Sequence, residues 1–380
     1  MRGSRLALLL VALLLACCLQ GAIAFDKATP PAERNAILFS WDGVQRNHLN
    51  ECLQANQLPN LAQLIKEGHI VSIDVVGHQT DTKAGHTQML TGHEPAVTGV
   101  YSNGRYKPIP LGYTIFEDLQ AQFGKDKIAT VMLTGKSHHI GSMGPAQAGA
   151  VAQPKKANAA NQGNKAKQRK ARQAKQAAQA DAAGQATQKQ PSVAEDEETA
   201  KLKPRQRAAA AANQAAASNK EGEPWYLVKK NFTVWDGDVS RTADAVGPKA
   251  VGYVDQFASQ RFFAFFHFSD PDHMGHAHGE NSKEYTDAVI DCDKWLGKIV
   301  AELKAKKLYD KTIILVTADH GFDEAKTSHK NAPYVTLATN DTSVTKDGDQ
   351  RDLVPTILRE MGADLAKVNP KLPGKPLIGE

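Results

Sequence analysis

Residues of the types that bind divalent metal ions follow the ends of several apolar segments of this sequence. They are Asp42, Asp272, His276, Asp319, His320 and His329. Three carboxylates and three imidazoles form a ligand set suited to zinc or a similar ion. Six ligands are too many for one four-coordinate ion, whereas two ions about 4 Å apart could each take three. Such a pair stabilises both oxygens exchanged in a phosphoryl transfer, so the pattern favours a two-metal hydrolase over a set of unrelated loop residues.

The segment between residues 80 and 92 carries a candidate nucleophile. It follows a predicted strand that ends at Val76, and its Gly85 and short side chains suit a turn from strand to helix. Thr82, at the N-terminus of that helix, would have its alkoxide stabilised by the helix dipole and by a metal ion. Thr82 could also be only the N-cap of the helix, and the spacing alone leaves both interpretations open.

Apolar segments that alternate with helical patterns must position these residues. The predicted strands cover residues 36–40, 71–76, 128–133, 262–268 and 312–317, and the clearest predicted helices cover 58–66 and 285–304. Strands that are apolar throughout and alternate with helices predict an α/β fold with a mostly parallel sheet covered on both faces. In such sheets, sites form beyond the carboxyl ends of the strands, which is where the candidate ligands stand.

Composition divides the 380-residue chain into four predicted parts. They are a signal peptide at residues 1–24, a catalytic domain in two parts at 25–144 and 224–380, and a low-complexity insertion at 145–223. The insertion consists mainly of Ala, Gln, Lys and Asn, so it cannot bury enough apolar surface to offset its ordering entropy, and we expect disorder. Much of the net charge of +5 lies there. The insertion is either a basic tether to anionic polymers or nucleic acid, or a loop without a specific partner.

The N-terminus predicts export. Arg2 and Arg5 precede an apolar run at residues 6–16 that is too short to span a bilayer and is typical of a signal peptide. The segment Ala22-Ile23-Ala24 would allow cleavage before Phe25, whereas the residues before Cys17 resemble a bacterial lipobox. The chain is therefore expected in the periplasm or outside the cell, and at a membrane only if Cys17 is lipidated.

The cysteines do not indicate a metal site. Apart from the two in the signal peptide, the chain has only Cys52 and Cys292. No Cys-x-x-Cys pair occurs, which argues against cysteine-ligated zinc. The two residues are expected to be buried thiols, with a disulfide between them as the alternative after export.

The motifs around the candidate residues resemble those of the alkaline phosphatase superfamily, most of all its type I phosphodiesterase/nucleotide pyrophosphatase family. The resemblance covers most of the chain outside the signal peptide and the insertion. The matching motifs, in the order that the family has them, are Trp41-Asp42-Gly43, Thr82-x-x-x-His86 with Leu90-Thr91-Gly92, Pro271-Asp272-x-x-Gly275-His276-x-x-Gly279, Ala318-Asp319-His320-Gly321 and finally His329. The fold that this resemblance implies is an alkaline-phosphatase-like three-layer sandwich.

The resemblance also implies roles for single residues. Thr82 would attack phosphorus and form a phospho-threonine intermediate, and Asn103 resembles the asparagine that donates a hydrogen bond to a phosphoryl oxygen. The substrate would be a small-molecule phosphoester, with no specific nucleic-acid partner, and magnesium or manganese could replace zinc in one site. The implied ligands are Asp42, Thr82, Asp319 and His320 for one zinc ion, and Asp272, His276 and His329 for the other.

Some features depart from the family pattern or stay open. Ala84 and Gly85 replace a proline-containing turn, and the absence of a Cys-x-Pro-x-Arg motif argues against a formylglycine sulfatase. Lys136 follows the predicted strand at 128–133 and is either a site lysine, as in some phosphomonoesterases of the superfamily, or a surface lysine. Three residues crowd the second metal motif and are expected to be solvated or to contact the ligands: Asp270, His273 and His278.

Two other functions stay open at this point. A sulfatase or phosphonate hydrolase could use the same scaffold, and a sulfatase would act on an aryl sulfate better than on any phosphate ester. A non-enzymatic protein could instead bind a surface polymer through the basic insertion, with a degenerate metal site. The complete set of candidate ligands argues against this last interpretation.

Overall fold

The computed structural model describes Phe25, residues 29–145 and residues 221–379. The predicted signal peptide lies outside the described residues, and so does the predicted insertion apart from residues 145 and 221–223. The expected disorder of the insertion and the two interpretations of the N-terminus therefore stay predictions.

One sheet forms the centre of the described residues. Its strands are β1 (Asn35–Trp41), β2 (His69–Asp74), β3 (Ile128–Leu133), β4 (Val234–Asp236), β5 (Arg261–Phe268), β6 (Thr312–Thr317), β7 (Tyr334–Thr339) and β8 (Gly348–Asp349). They lie in the order β4-β3-β5-β1-β6-β7-β2-β8. The first five strands of this order, β4, β3, β5, β1 and β6, pair with one another in parallel, whereas β7 runs antiparallel to both of its neighbours, β6 and β2. The mostly parallel sheet confirms the predicted α/β fold class.

Helices cover both faces of this sheet. They are α1 (Arg46–Gln54), α2 (Pro59–Glu67), α3 (Thr82–Thr91), α4 (Pro95–Thr98), α5 (Ile115–Phe123), α6 (Ser137–Ile140), α7 (Ala243–Gln256), α8 (Asp270–His278), α9 (Lys283–Ala305) and α10 (Leu353–Glu360). Helices α2, α7 and α8 pack against the long helix α9 in one layer, and α3, α5 and α10 pack together in the other. This is the three-layer sandwich that the resemblance implies.

The carboxyl ends of β1, β5 and β6 lie side by side at one edge of the sheet. Trp41 of β1 pairs with Phe268 of β5, and Ser40 pairs with Thr317 of β6. All three strands are buried along almost their whole length, and the burial of one large apolar side chain contributes about 1.5–3 kcal/mol. The register that this packing fixes brings together the segments that follow the strands, at residues 42, 269–272 and 318–320.

Two further predictions concern the thiols and the membrane. Cys52 and Cys292 are both buried and free, which confirms the prediction of two thiols without a disulfide. None of the helices within residues 29–145 and 221–379 has the length and apolar character that crossing a membrane requires.

Candidate active site

Three carboxylates and one ammonium meet beyond the carboxyl ends of these strands. Asp42 directly follows β1, Asp272 lies in the first turn of α8, and Asp319 follows β6. Lys136 Nζ donates to Asp42 Oδ2 at 2.8 Å and to Asp272 Oδ2 at 2.6 Å. All four side chains are buried, and a buried ammonium requires charged partners of this kind. Lys136 therefore belongs to the site, and its interpretation as a surface lysine is wrong.

Each of the three carboxylates keeps one oxygen without a hydrogen-bond partner among the described residues. These atoms are Asp42 Oδ1, Asp272 Oδ1 and Asp319 Oδ2. A buried carboxylate oxygen without a partner is costly, and one ammonium does not balance three carboxylates. The donor set therefore has the unsatisfied negative charge that divalent cations would compensate.

Three histidines point their Nε2 atoms at this negative charge. In each ring Nδ1 contacts a backbone carbonyl oxygen, which can only accept a hydrogen bond, so Nδ1 donates and Nε2 keeps the lone pair that binds a metal ion. The contacts are His276 Nδ1 to Thr327 O at 2.9 Å, His320 Nδ1 to Gly321 O at 2.9 Å and His329 Nδ1 to Thr80 O at 2.5 Å.

Asp272, His276 and His329 form the first group of potential metal ligands. The Nε2 atoms of His276 and His329 lie 3.1 Å apart, and Asp272 Oδ1 lies 3.4 Å from the former and 3.9 Å from the latter. A tetrahedral zinc ion about 2.0–2.1 Å from its ligands holds them about 3.3–3.4 Å from one another. Burial, together with His320, lowers the pKa of His329 to about 4, so this imidazole is neutral and available as a ligand.

Asp42, Asp272 and His320 form the second group. His320 Nε2 lies 3.7 Å from Asp42 Oδ1 and 3.3 Å from Asp319 Oδ2. Asp272 belongs to both groups and therefore lies between them. Burial would raise the pKa of Asp42, but Lys136 and His267 hold it well below its ordinary value.

Asp319 lies beside this group, with its Oδ2 3.3 Å from His320 Nε2, and these two residues compete for a proton. Burial and the nearby Asp42 raise the pKa of Asp319 to about 8. Burial would lower the pKa of His320, but Asp319 and Asp42 raise it above the ordinary value. A proton and a metal ion would compete for the same oxygen and nitrogen atoms of Asp42, Asp319 and His320. Such competition is expected of metal ligands, because metal binding releases protons.

Thr82 is the first residue of α3, and Asp81 precedes it as the N-cap. The interpretation of Thr82 as only an N-cap is therefore wrong. Thr82 is buried, and its Oγ1 lies 3.4 Å from Lys136 Nζ. Its hydroxyl thus combines a helix N-terminus with a nearby ammonium, and both stabilise an alkoxide or a bound phosphoryl group.

Asn103 contacts the start of the same helix. Its Oδ1 accepts a hydrogen bond from the backbone N–H of Lys83 at 2.9 Å, while its own backbone N–H donates to Asp81 Oδ2 at 2.9 Å. The side chain of Asn103 therefore caps α3 from a neighbouring loop, a contact that the sequence did not reveal. This contact fixes the orientation of the amide, because Oδ1 faces the backbone N–H, and it leaves Nδ2 as a donor.

Lys83, the residue after Thr82, has its charge compensated away from the carboxylates. Its buried Nζ pairs with Glu223 and lies 3.6 Å from the centre of the Tyr106 ring. Tyr106 also donates its hydroxyl to Glu223 at 3.2 Å. Composition assigned Glu223 to the insertion, whereas its burial and these contacts make it part of the folded structure.

Several supporting residues were missed by the sequence analysis. His267, inside the otherwise apolar β5, contacts Asp42 Oδ2 through Nε2 at 2.9 Å. The hydroxyl of Thr80 donates to the backbone carbonyl of His329, and the backbone carbonyl of Thr80 accepts from Nδ1 of the His329 ring. The only signal for His267 was a polar residue in a strand that is buried on both faces.

The residues that crowd the second metal motif have two different environments. His273 and His278 are exposed, which confirms the expectation that they are solvated. Asp270 instead accepts a hydrogen bond from the backbone of Ala243 at 2.8 Å and caps α7, so its role is structural.

The sequence model of the type I phosphodiesterase/nucleotide pyrophosphatase family matches residues 36–374. The chain is 32% identical over 123 residues to a 2,3-bisphosphoglycerate-independent phosphoglycerate mutase of Clostridium kluyveri, a match that covers 29% of this chain and 22% of the mutase. It is 36% identical over 58 residues to ectonucleotide pyrophosphatase/phosphodiesterase family member 5 of Homo sapiens, covering 15% of this chain and 12% of that protein. The chain thus spans about a fifth or less of the length of these relatives.

Two solved structures are similar over most of the chain. The candidate sulfatase yidJ of Bacteroides fragilis has 13% identity and a TM-score of 0.54, with 92% of this chain and 78% of that chain covered. The lipoteichoic acid synthase LtaP of Listeria monocytogenes has 14% identity and a TM-score of 0.50, with 93% and 79% covered. At these identities the likeness is one of fold alone, and it agrees with the three-layer architecture.

Proposed function

The chain belongs to the type I phosphodiesterase/nucleotide pyrophosphatase family, and from this premise we propose that it hydrolyses phosphoester bonds with Thr82 as its nucleophile. The observation that carries the proposal is the position of Thr82 Oγ1 at the N-terminus of the buried helix α3, beside the Lys136 ammonium. The two groups of carboxylate and imidazole ligands next to it support the same reaction.

The donor atoms fit two divalent metal ions, which we propose to be zinc, with magnesium or manganese as alternatives in one site. Bound ions would lower the pKa of the threonine hydroxyl and of water, and would offset the charge on the oxygens that change partners. Three imidazoles among the ligands favour zinc. The proposed ligands are Asp42, Thr82, Asp319 and His320 for one ion, and Asp272, His276 and His329 for the other.

The chain's own residues account for the bond changes. Thr82 Oγ1 attacks phosphorus, its bond to phosphorus forms, and the bond to the leaving alcohol breaks as that oxygen takes up a proton. Water then attacks the phospho-threonine, the bond between phosphorus and Thr82 breaks, and the hydroxyl regains its proton. We propose that Asn103 Nδ2 and Lys136 Nζ bind the non-bridging oxygens in both steps.

A phosphorylated threonine is the specific test of this mechanism. We expect Thr82→Ala to lower kcat/KM of the zinc-loaded protein on p-nitrophenyl phosphate and bis-p-nitrophenyl phosphate by at least about 10³-fold. Thr87→Ala is the matched control, because Thr87 lies in the same helix and its hydroxyl donates to the backbone carbonyl of Lys83. Mass spectrometry of acid-quenched enzyme should find phosphate on Thr82. Wild-type rates in Thr82→Ala would reject the proposal.

The environment of Lys136 favours phosphate monoesters over diesters. A monoester dianion requires more positive charge around its non-bridging oxygens than a diester does, and Lys136 supplies an ammonium beside the nucleophile. We expect Lys136→Met to lower kcat/KM on the monoester about 10²-fold more than on the diester. Lys127→Met, which changes an exposed lysine, is the control. An equal loss on both substrates would contradict the preference.

Two alternatives from the sequence remain testable with the same protein. A sulfatase on this scaffold would hydrolyse p-nitrophenyl sulfate faster than either phosphate ester, and a phosphonate hydrolase would favour a phosphonate monoester. A surface-polymer-binding protein would lose its function when residues 146–220 are deleted but not in Thr82→Ala. The complete ligand set supports the hydrolase.

We also propose that the protein is exported, on the basis of the signal peptide pattern at residues 1–24. The mass of the mature chain would distinguish cleavage before Phe25 from lipidation at Cys17. A mature protein that retains Met1 would contradict export by this route.

A further inference from the structure

The ring of His267 is completely buried at the end of β5. Its neighbours in the strand are Phe265, Phe266 and Phe268, and the rings of Phe265 and His86 lie close to it, with centres 6.4 Å and 4.8 Å away. A polar ring in such surroundings is tolerated only when its nitrogen atoms are hydrogen-bonded. His267 has two such bonds, and both partners belong to the candidate active site.

These bonds determine where the ring carries its proton. The backbone N–H of Gly135 donates to His267 Nδ1 at 3.1 Å, and since an N–H can only donate, Nδ1 holds a lone pair. The proton of the neutral ring is therefore on Nε2, which donates to Asp42 Oδ2 at 2.9 Å. This tautomer is opposite to that of the three candidate ligand histidines. His267 thus presents an N–H to a carboxylate, as a residue that orients a ligand does.

The contact with Asp42 distinguishes the two oxygens of that carboxylate. Oδ2 accepts from both His267 Nε2 and Lys136 Nζ, whereas Oδ1 has no hydrogen-bond partner among the described residues. The carboxylate therefore has one oxygen held by hydrogen bonds and one available to a cation. Because Gly135 immediately precedes Lys136, the same ring also fixes the backbone of the loop that carries the lysine.

We infer that His267 is a positioning residue that holds Asp42 as a metal ligand through a single oxygen and fixes the loop of Lys136. It touches neither the substrate nor a metal ion, and it acts through these two residues. The inference rests on the proposed function, because it assumes that Asp42 binds a divalent ion.

Zinc affinity tests this role without an activity assay. Competition with a chromogenic chelator measures zinc binding to the full-length wild-type protein and to His267→Phe, His267→Gln and Phe265→Leu. We expect His267→Phe to weaken one of two bound ions by about 10- to 100-fold, as the loss of a ligand's hydrogen-bond partner does. His267→Gln should retain more affinity, because a carboxamide carries both donor N–H groups and an acceptor oxygen. Phe265→Leu, which changes packing on the same strand, should leave the affinity within about threefold of the wild type.

A second measurement is made on the wild-type protein and needs a variant only to assign one signal. Nitrogen-15 NMR of the wild-type protein should show the imidazole of His267 with its proton on Nε2, assigned through the loss of that signal in His267→Gln. A proton on Nδ1 would overturn the inference, as would wild-type zinc affinity in a folded His267→Phe.

The outcomes separate this inference from the proposed function. Two ions bound by the wild type and by His267→Phe with equal affinity would reject the positioning role and leave the hydrolase intact. A wild-type protein that binds no divalent ion would reject the metal-dependent mechanism and the inference with it. Metal binding that depends on His267, in a protein without Thr82-dependent hydrolysis, would support the inference and reject the reaction.

Discussion

The two groups of candidate ligands differ in their exposure to solvent. Asp42, Asp319 and His320 are completely buried and lie next to Thr82 and Lys136. In the other group the side chain of His276 is 46% exposed and that of His329 is 12% exposed. We call these the buried group (Asp42, Asp319, His320) and the open group (Asp272, His276, His329).

This difference suggests different tasks. The buried group lies away from solvent and against α3, the helix of the proposed nucleophile, so it suits activation of the Thr82 hydroxyl. The open group admits solvent, so it suits the water of the second step and the exchange of product. Exposure should also govern how easily each ion is lost, because an ion in the open group can dissociate without displacing packed side chains.

The largest expected effect compares His320→Ala with His276→Ala. Loss of His320, a proposed ligand in the buried group, should lower kcat/KM on the order of 10³-fold, because several kcal/mol of charge stabilisation would depend on an ion beside Thr82. Loss of the open ligand His276 should cost about 10- to 100-fold and be largely restored by excess zinc through mass action. Activity as a function of zinc concentration, together with metal content, measures both effects.

The matched control for this comparison is His278→Ala, which removes an exposed histidine from the same helix as His276. It should leave both the metal content and the rate unchanged. If excess zinc restored His320→Ala and His276→Ala equally, exposure would not distinguish the two groups.

Variants at Asn103 test whether this side chain binds the phosphoryl group or only caps α3, the helix that carries Thr82. Asn103→Asp keeps the oxygen that caps α3 and removes the Nδ2 donor, so we expect kcat/KM to fall about 10²-fold at unchanged stability. Asn103→Ala removes both functions and should also lower the free energy of unfolding by about 1 kcal/mol. Kinetics and urea unfolding separate the two roles. Wild-type kinetics in Asn103→Asp would leave Asn103 with capping alone.

Features with a local sequence pattern could be predicted, whereas contacts between distant parts of the chain could not. The strands of the centre were predictable because side chains on both faces are apolar, and Asp42 and Asp319 were predictable because they lie within two residues of a strand end. Strands β4 and β8, with three and two residues, are too short to show a pattern. The contact of His267 with Asp42 joins residues 225 apart in the chain, and no local pattern encodes such a pair. The position of Lys136 stayed open for the same reason.

His329 of the open group lies on a loop that is held in place by a buried ion pair, His48 with Glu280. His48 Nδ1 lies 3.2 Å from Glu280 Oε1, and Glu280 Oε2 accepts from the backbone of Ala325, four residues before His329. Burial would lower the pKa of His48, but the neighbouring Cys52 and Glu280 raise it to about 9. Because the folded state binds this proton more tightly than the unfolded state, the contribution is complete below about pH 6.5 and is lost as pH rises through about 9.

We therefore expect the free energy of unfolding to fall by at most about 3 kcal/mol between pH 6.5 and pH 9. His48→Gln should remove most of this slope, whereas His278→Gln, at an exposed position, should keep it. Urea unfolding of the metal-free protein at several pH values measures the slope. The same pH dependence in His48→Gln and the wild type would show that the pair does not titrate as described.

The smallest expected effect concerns the backbone contact between the nucleophile helix and the buried group. A Cβ atom on Gly85 would lie 2.5 Å from the carbonyl oxygen of Asp319 and 2.9 Å from its Cβ, which explains why α3 has a glycine at this position. Gly85→Ala should cost about 1–2 kcal/mol of unfolding free energy and weaken zinc binding, because the clash outweighs the gain in helix propensity. Gly252→Ala, in the middle of α7 with no atom within 4 Å of the added Cβ, should instead stabilise the protein by about 0.5–1 kcal/mol. A stabilised Gly85→Ala variant with unchanged zinc affinity would mean that the buried group tolerates a shift of α3. The contrast between the buried group and the open group would then rest on solvent exposure alone.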